Sequence, residues 1–142
     1  MRQLLLLSDD HFLCEVLGRY LRRDGIEVAA VASPANAAQR VAGGAAGVVV
    51  DLAKRGLAGA DIIALSQRAE RAHIPLLVIS SQSRREVSEF AAVVRAADVM
   101  SKSEPMTSIA ARLRLWLNTK RHELVAQEPD NGFEIAELAV AT

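Results

Sequence analysis

The chain has 142 residues, 51% of them hydrophobic and 24% charged, which is enough to bury one sizeable core at the length of a single domain and excludes a two-domain enzyme. Seventeen Lys and Arg residues balance seventeen Asp and Glu residues, which excludes the net positive charge expected of a protein that binds nucleic acid or an anionic membrane. Cys14 is the only cysteine, so an intramolecular disulfide is excluded and we expect a reducing, cytoplasmic environment.

Five short apolar runs, rich in Leu and Val, lack the polar alternation of a half-exposed strand. They occupy residues 4–7, 28–32, 48–52, 76–79 and 99–100. Such runs are typical of strands that are buried on both faces, as in a parallel sheet. The first run ends at Ser8 and is far shorter than the ~20 apolar residues of a membrane span, so we expect no membrane association.

Apolar residues at helical spacing follow each of these runs. Asp24-Gly25 ends the first predicted helix, Ser33-Pro34 begins the second, and Gly43-Gly44 ends it. The third helix is predicted over residues 60–71. Apolar residues expected to face the core lie on the first, third, fourth and fifth helices: Leu13, Val16, Leu17, Tyr20 and Leu21; Ile62, Ile63 and Leu65; Val87, Phe90, Ala91 and Val94; Ile109, Leu113, Trp116 and Leu117.

A strand followed by a helix, five times over, predicts right-handed crossovers and a parallel sheet with helices on both faces. The fold class is therefore α/β: a single doubly wound, five-stranded parallel sheet of flavodoxin-like type, with strand order 2-1-3-4-5. The predicted domain covers residues 1–118. Residues 119–142 are predicted to be a C-terminal extension or linker, because the helical stripe fades from Thr119 and residues 129–132 form a strong turn signal.

Polar residues stand at the end of four of the predicted strands. Because the carboxyl ends of parallel strands meet at one edge of the sheet, we expect their side chains to converge there. Carboxylates from two strands can share Mg²⁺, which prefers oxygen ligands, while a hydroxyl and an ammonium group can bind an oxyanion. The residues are Ser8, Asp9, Asp10, Asp51, Ser80, Ser81, Ser101 and Lys102.

This set of groups suits the transfer of a phosphoryl group onto a carboxylate. Asp51 would attack phosphorus, while Lys102, the Ser80 hydroxyl and the metal ion would neutralise charge on the phosphoryl oxygens. A phosphatase with an aspartyl nucleophile is disfavoured, because Asp51-Leu52-Ala53 has no second acid two residues on to protonate a leaving group. The expected product is an aspartyl phosphate.

In the order and spacing of these residues, the chain resembles the receiver domain of two-component response regulators over about residues 1–118. The resemblance implies that Asp51 is the phosphoacceptor and that Ser80 and Lys102 stabilise the phosphoryl group. It also implies that Mg²⁺ is held by Asp9, Asp51 and the backbone carbonyl of Ala53, with Asp10 as a further candidate ligand.

The same resemblance implies a signalling switch and not an enzyme. A histidine kinase or a phosphotransfer protein would supply the phosphoryl group. Output would pass to a downstream protein or to an output domain outside this chain, through the face formed by the fourth helix, the fifth strand and the fifth helix. A homodimer is compatible with this role, whereas no nucleic-acid or membrane partner is expected.

The chain departs from the family pattern at several positions. Alignment without gaps puts Ser8 at the first acidic position and Asp9 at the second, whereas a register with Asp9-Asp10 as the acidic pair requires a deletion in the first helix. Arg55 and Ser103 stand where prolines are usual, and Val99 replaces an aromatic residue used as a switch. These departures support an alternative: a pseudo-receiver, which is a phosphorylation-independent interaction or dimerisation module.

Two of the acidic residues also have a purely structural interpretation. Asp9 and Asp10 directly precede the first predicted helix, where a carboxylate can cap the free backbone N–H groups and interact favourably with the helix dipole. Lys102 lies close to the start of the fifth helix, where a cation is unfavourable unless an anion compensates it. The sequence therefore predicts an anionic partner for Lys102.

Overall fold

The computed structural model describes residues 2–127, except for the side chains of Arg84 and residues 119–127. Strands and helices alternate through this whole range, as the sequence predicts. The elements in chain order are β1 (Arg2–Leu7), α1 (His11–Arg22), β2 (Ile26–Ala30), α2 (Pro34–Ala42), β3 (Gly47–Asp51), α3 (Gly59–Arg71), β4 (Leu76–Ser80), α4 (Arg84–Val93), β5 (Asp98–Ser101) and α5 (Met106–Gln127).

The five strands form one parallel sheet in the order β2-β1-β3-β4-β5, which confirms the predicted doubly wound topology. The register aligns the carboxyl ends of neighbouring strands. Leu7 pairs with Val50, Asp51 pairs with Ile79, and Ser80 pairs with Ser101. The sheet therefore presents the residues that follow β1, β3, β4 and β5 along one edge.

Both faces of the sheet are buried, which explains why the strands are apolar without alternation. Along β1, Leu4 and Leu6 face a core that includes residues of α1 and α5, whereas Leu5 and Leu7 face a second core that includes residues of α2 and α3. Residues that point in alternate directions thus meet helices on either side.

Several element boundaries and burial predictions differ from the structure. The second strand starts two residues earlier than predicted, because Gly25 turns the chain at a φ of 71° and its carbonyl accepts a hydrogen bond from the Arg2 N–H. Tyr20, Ile63, Phe90 and Trp116 pack against the cores as predicted, although they lie at the core margins and are only half-buried. Val16 is half-buried as well.

The fifth helix passes through the predicted domain boundary at residue 118 and reaches Gln127. The boundary itself stays a prediction, and residues 128–142 of the predicted extension lie outside the described residues. Within residues 2–127, no helix combines the length and apolar character needed to cross a membrane.

Helix α2 begins at a side-chain cap whose contribution to stability can be measured. The Ser33 side chain accepts a hydrogen bond from the Asn36 N–H at 3.1 Å, and Pro34 follows at the first helical position. We expect Ser33→Ala to lower the free energy of unfolding by about 1 kcal/mol, because it leaves this donor without its cap. Urea denaturation measures the loss. Ser33→Asp, which restores an acceptor, should recover most of it, and equal losses in both variants would contradict the capping role.

Candidate functional site

Asp51, the last residue of β3, is buried at the carboxyl edge of the sheet, with only 1% of its surface exposed. Its Oδ2 accepts a hydrogen bond from the Ser8 hydroxyl at 2.5 Å and lies 2.8 Å from the Lys102 Nζ. Its Oδ1 accepts a hydrogen bond from the Ala53 N–H at 3.0 Å. Burial of a carboxylate is costly without such partners, and here both oxygens are engaged.

Lys102 reaches this carboxylate from the loop that follows β5. Its backbone N–H donates to the Ser80 carbonyl at 2.9 Å, which continues the pairing of β4 with β5 past the end of the strand. The ammonium group contacts Asp51 and lies 3.6 Å from the Asp10 Oδ2. The structure therefore supplies the anionic partner that the sequence predicts for Lys102, and it brings Asp51 and Lys102 into direct contact.

Ser80, the last residue of β4, lies at the same edge and is 2% exposed. Its Oγ accepts a hydrogen bond from the Gln82 N–H at 3.0 Å. Within the described part of the chain, the polar contacts of the Asp51 carboxylate are with Ser8, Lys102 and Ala53, and Ser80 is not among them. Its predicted role toward a phosphoryl group stays a prediction.

Asp9 points toward the loop after β3 and not toward Asp51. Its Oδ1 lies 2.8 Å from the Lys54 Nζ, and its Oδ2 accepts a hydrogen bond from the Arg55 N–H at 3.1 Å. The hydrogen bond from the Lys54 side chain, followed by the one from the Arg55 backbone, holds the pKa of Asp9 below its ordinary value. Asp9 is therefore ionised and already paired with a cation.

Asp10 caps helix α1, because its Oδ1 accepts a hydrogen bond from the Leu13 N–H at 3.0 Å. The structural interpretation is thus confirmed for Asp10. Ser8, in contrast, is the residue of this segment that bonds to Asp51, and its Oγ also accepts from the Asp10 N–H at 3.0 Å. Of the two registers left open by the sequence, the geometry favours the one in which Ser8 occupies the first position facing the buried carboxylate.

The carboxylates among the predicted magnesium ligands already have other partners in this arrangement. The oxygens of Asp9 are engaged by Lys54 and Arg55, and those of Asp51 by Ser8, Lys102 and Ala53. A search of the described residues finds no group of three or more His, Cys, Asp or Glu side chains able to hold a metal ion. Magnesium binding by Asp9, Asp51 and the Ala53 carbonyl stays a prediction that requires the Lys54–Asp9 contact to open.

A second ionic network joins β5 to α5 beside the Lys102 loop. The Arg112 guanidinium contacts both oxygens of Asp98, and its Nη1 lies 3.0 Å from the Glu104 Oε1. The Trp116 indole N–H donates to Asp98 at 3.0 Å, and Glu104 accepts from the Ser101 N–H at 2.9 Å. The network therefore connects the residue before Lys102 to the middle of α5.

Neither Lys54 nor Arg112 was identified from the sequence. Lys54 is three residues past Asp51, so its position on the correct loop was the available signal, but nothing local indicates that its side chain turns toward Asp9. Arg112 is separated by 14 positions from its partner on β5, and one charged residue on a helix surface is usually solvated.

No protein-family model matches the sequence, and no curated protein matches it. Solved structures do match its fold. The CheY-like receiver domain protein from Methanospirillum hungatei has a TM-score of 0.71 at 14% identity, covering 87% of this chain and 98% of that one. Chemotaxis protein CheY4 from Vibrio cholerae has a TM-score of 0.69 at 15% identity, covering 82% of this chain and 98% of that one.

A receiver domain protein from Clostridium thermocellum is also similar, with a TM-score of 0.66 at 16% identity, covering 85% of this chain and 98% of that one. The chain thus has the fold of CheY-like response-regulator receiver domains, and the resemblance identified from the sequence is confirmed at the level of the fold. At these identities the likeness concerns the fold alone.

Proposed function

We propose that the chain is a receiver-type signalling domain in which Asp51 accepts a phosphoryl group. The observation that carries this proposal is the 2.8 Å contact between the Asp51 carboxylate and the Lys102 ammonium at the carboxyl edge of the sheet. Strand β3 ends at the carboxylate nucleophile, and the loop after β5 carries a cation in contact with it. This cation can neutralise the negative charge that moves onto the phosphoryl oxygens.

In the proposed reaction, an Asp51 oxygen attacks phosphorus and forms the new O–P bond. The P–N bond of a phosphohistidine on the kinase or phosphotransfer protein breaks, and its electron pair leaves with the imidazole, which then takes a proton from solvent. Lys102 would move from the carboxylate to a phosphoryl oxygen, because that oxygen now carries the negative charge. The Ser80 hydroxyl, whose oxygen accepts from Gln82, can donate its proton to a second phosphoryl oxygen.

Attack by the Asp51 Oδ2 requires the Ser8 hydroxyl to release that oxygen, which is also the one that Lys102 contacts. Movement of Lys102 toward the phosphoryl group would pull on the loop that leads through Glu104 to Arg112 and α5. We propose that the signal leaves through the face formed by α4, β5 and α5, toward a downstream protein or an output domain.

Incubation with acetyl phosphate or phosphoramidate, followed by intact-protein mass spectrometry, tests the phosphoacceptor role. We expect the wild type to gain the mass of one phosphoryl group and Asp51→Asn to gain none, because an amide cannot form an acyl phosphate. Each donor is used with Mg²⁺ and with a chelator. Asp61→Asn, which alters an exposed carboxylate on α3, is the matched control and should label like the wild type. Labelling that persists in Asp51→Asn would contradict the assignment.

The second candidate is a pseudo-receiver that acts as an interaction or dimerisation module without phosphorylation. Two observations favour it: Ser8 stands where a carboxylate would face Asp51, and Lys54 occupies the Asp9 carboxylate. This alternative predicts that no donor modifies Asp51. It also predicts that Asp51→Asn leaves the oligomeric state measured by light scattering unchanged, whereas a phosphorylation-driven switch predicts a change in the wild type after labelling.

A further inference from the structure

Lys54 has the least exposed charged side chain on the loop after β3. Its side chain is 11% exposed, although it lies in the segment between β3 and α3 at the surface of the domain. Withdrawing an ammonium group from water is unfavourable unless an anion compensates it. The Asp9 carboxylate, 2.8 Å away, is that anion.

The contact is held by the backbone on both sides. The Lys54 N–H donates to the Asp51 carbonyl at 3.0 Å, which closes a tight turn directly after β3, and the next residue, Arg55, donates its N–H to the other oxygen of Asp9. Two successive residues of this loop, Lys54 and Arg55, therefore each donate a hydrogen bond to Asp9. The loop backbone therefore places the Lys54 ammonium beside a carboxylate whose own side chain is 53% exposed.

The charges at this edge are nearly balanced without any added ion. Asp9, Asp10 and Asp51 contribute three negative charges, and Lys54 and Lys102 contribute two positive charges within contact distance of them. A divalent cation entering beside Asp9 would have to displace Lys54 or sit next to its ammonium, and like charges at such distances repel strongly. The two lysines therefore neutralise all but one of the negative charges at this edge, and the Asp9 carboxylate already has its own cation.

We propose that Lys54 is a tethered counter-cation that occupies the place a divalent metal ion would take beside Asp9, and that this chain consequently does not bind Mg²⁺ or Mn²⁺ there. The proposal concerns occupancy of the Asp9 carboxylate and does not depend on phosphorylation of Asp51. It predicts a gain of metal binding when the ammonium group is removed, which is an outcome that a merely structural lysine would not produce.

The test is a titration with Mn²⁺ followed by the electron paramagnetic resonance signal of the free ion, with Mg²⁺ competition. We expect no saturable binding in the wild type. In Lys54→Met we expect saturable binding at least about tenfold tighter than any residual binding by the wild type, because a unit positive charge in contact with Asp9 has been removed. Arg55→Met is the matched control: it removes a positive charge from the same loop but keeps the backbone N–H on Asp9. It should gain clearly less binding than Lys54→Met, because the hydrogen bond of Arg55 to Asp9 comes from its backbone.

The double variant Asp9→Asn/Lys54→Met should lose the gained binding, since the carboxylate ligand is absent. If Lys54→Met is poorly folded by circular dichroism, Lys54→Gln replaces it. The proposal is overturned by wild-type binding as tight as that of Lys54→Met, by an equal gain in Arg55→Met, or by a folded Lys54 variant that gains nothing. None of these results depends on whether the Asp51 mass changes with a phosphodonor, so failure of this proposal and failure of the proposed function are separate observations.

Discussion

Replacement of Lys102 by methionine is expected to lower the free energy of unfolding by about 3 kcal/mol, near the lower end of the range for breaking a buried ion pair. The loss arises because the Asp51 side chain is only 2% exposed. Without Lys102 it would keep only the Ser8 hydroxyl and the Ala53 N–H as partners. The lower end applies because the Lys102 side chain is itself 23% exposed and some of its charge is already solvated. Urea denaturation at neutral pH measures the difference.

A double variant separates this electrostatic effect from lost packing. In Lys102→Met/Asp51→Asn the buried charge is removed along with its partner, so we expect most of the lost stability to return. Asp51→Asn alone should destabilise less than Lys102→Met, because an exposed part of Lys102 can turn to water or to Asp10. A Lys102→Met protein as stable as the wild type would show that the ion pair contributes nothing to the folded state.

Replacement of Arg112 by leucine is expected to lower the free energy of unfolding by about 2 kcal/mol, through loss of charge-assisted hydrogen bonds to Asp98 and Glu104. The Arg112 and Asp98 side chains are 28% and 11% exposed, so these contacts are shielded from solvent. Arg19→Leu is the matched control, because Arg19 pairs with Glu15 on an exposed helix surface, and it should cost less than about 0.5 kcal/mol. Equal effects of the two substitutions would contradict a special role for the Arg112 network.

The contribution of Asp98 also predicts a pH dependence. Burial raises its pKa, but hydrogen bonds from Arg112, Trp116 and the Val99 N–H together outweigh burial, so the net shift is downward from the ordinary value of 3.8. A depressed pKa in the folded state stabilises the protein above the unfolded pKa and loses that effect as pH falls through the folded value. The stability difference between the wild type and Arg112→Leu should therefore be full at neutral pH and shrink below about pH 4.

The two networks meet at the short loop that follows β5. Lys102 contacts Asp51, and the neighbouring Ser101 is held by Glu104, which in turn contacts Arg112 on α5. A change at Asp51 that draws Lys102 away therefore acts on a segment tied to α5. The carbonyl of Val99, on the same strand, also accepts a hydrogen bond from Arg112 at 3.2 Å.

The sequence by itself determined the alternation of five strands and five helices, the parallel sheet and the edge at which polar residues gather. These features follow from short-range patterns: apolar runs such as residues 48–50, the Ser33-Pro34 start of α2 and the apolar spacing of α1. Burial of such patterns admits few topologies, so the strand order could be predicted as well. That order places Asp51 and Lys102 at the same edge of the sheet.

Only the tertiary structure decided which charges pair at that edge. Ser8 meets Asp51 across 43 positions of the chain, and Lys54 meets Asp9 across 45, so neither pair is marked by any local periodicity. The same residues could have left Asp9 open to a metal ion and Lys54 in water. The pairing of Lys54 with Asp9 depends on where the loop after β3 places the Lys54 ammonium relative to the end of β1. Sheet pairing and loop geometry together set the distance between them.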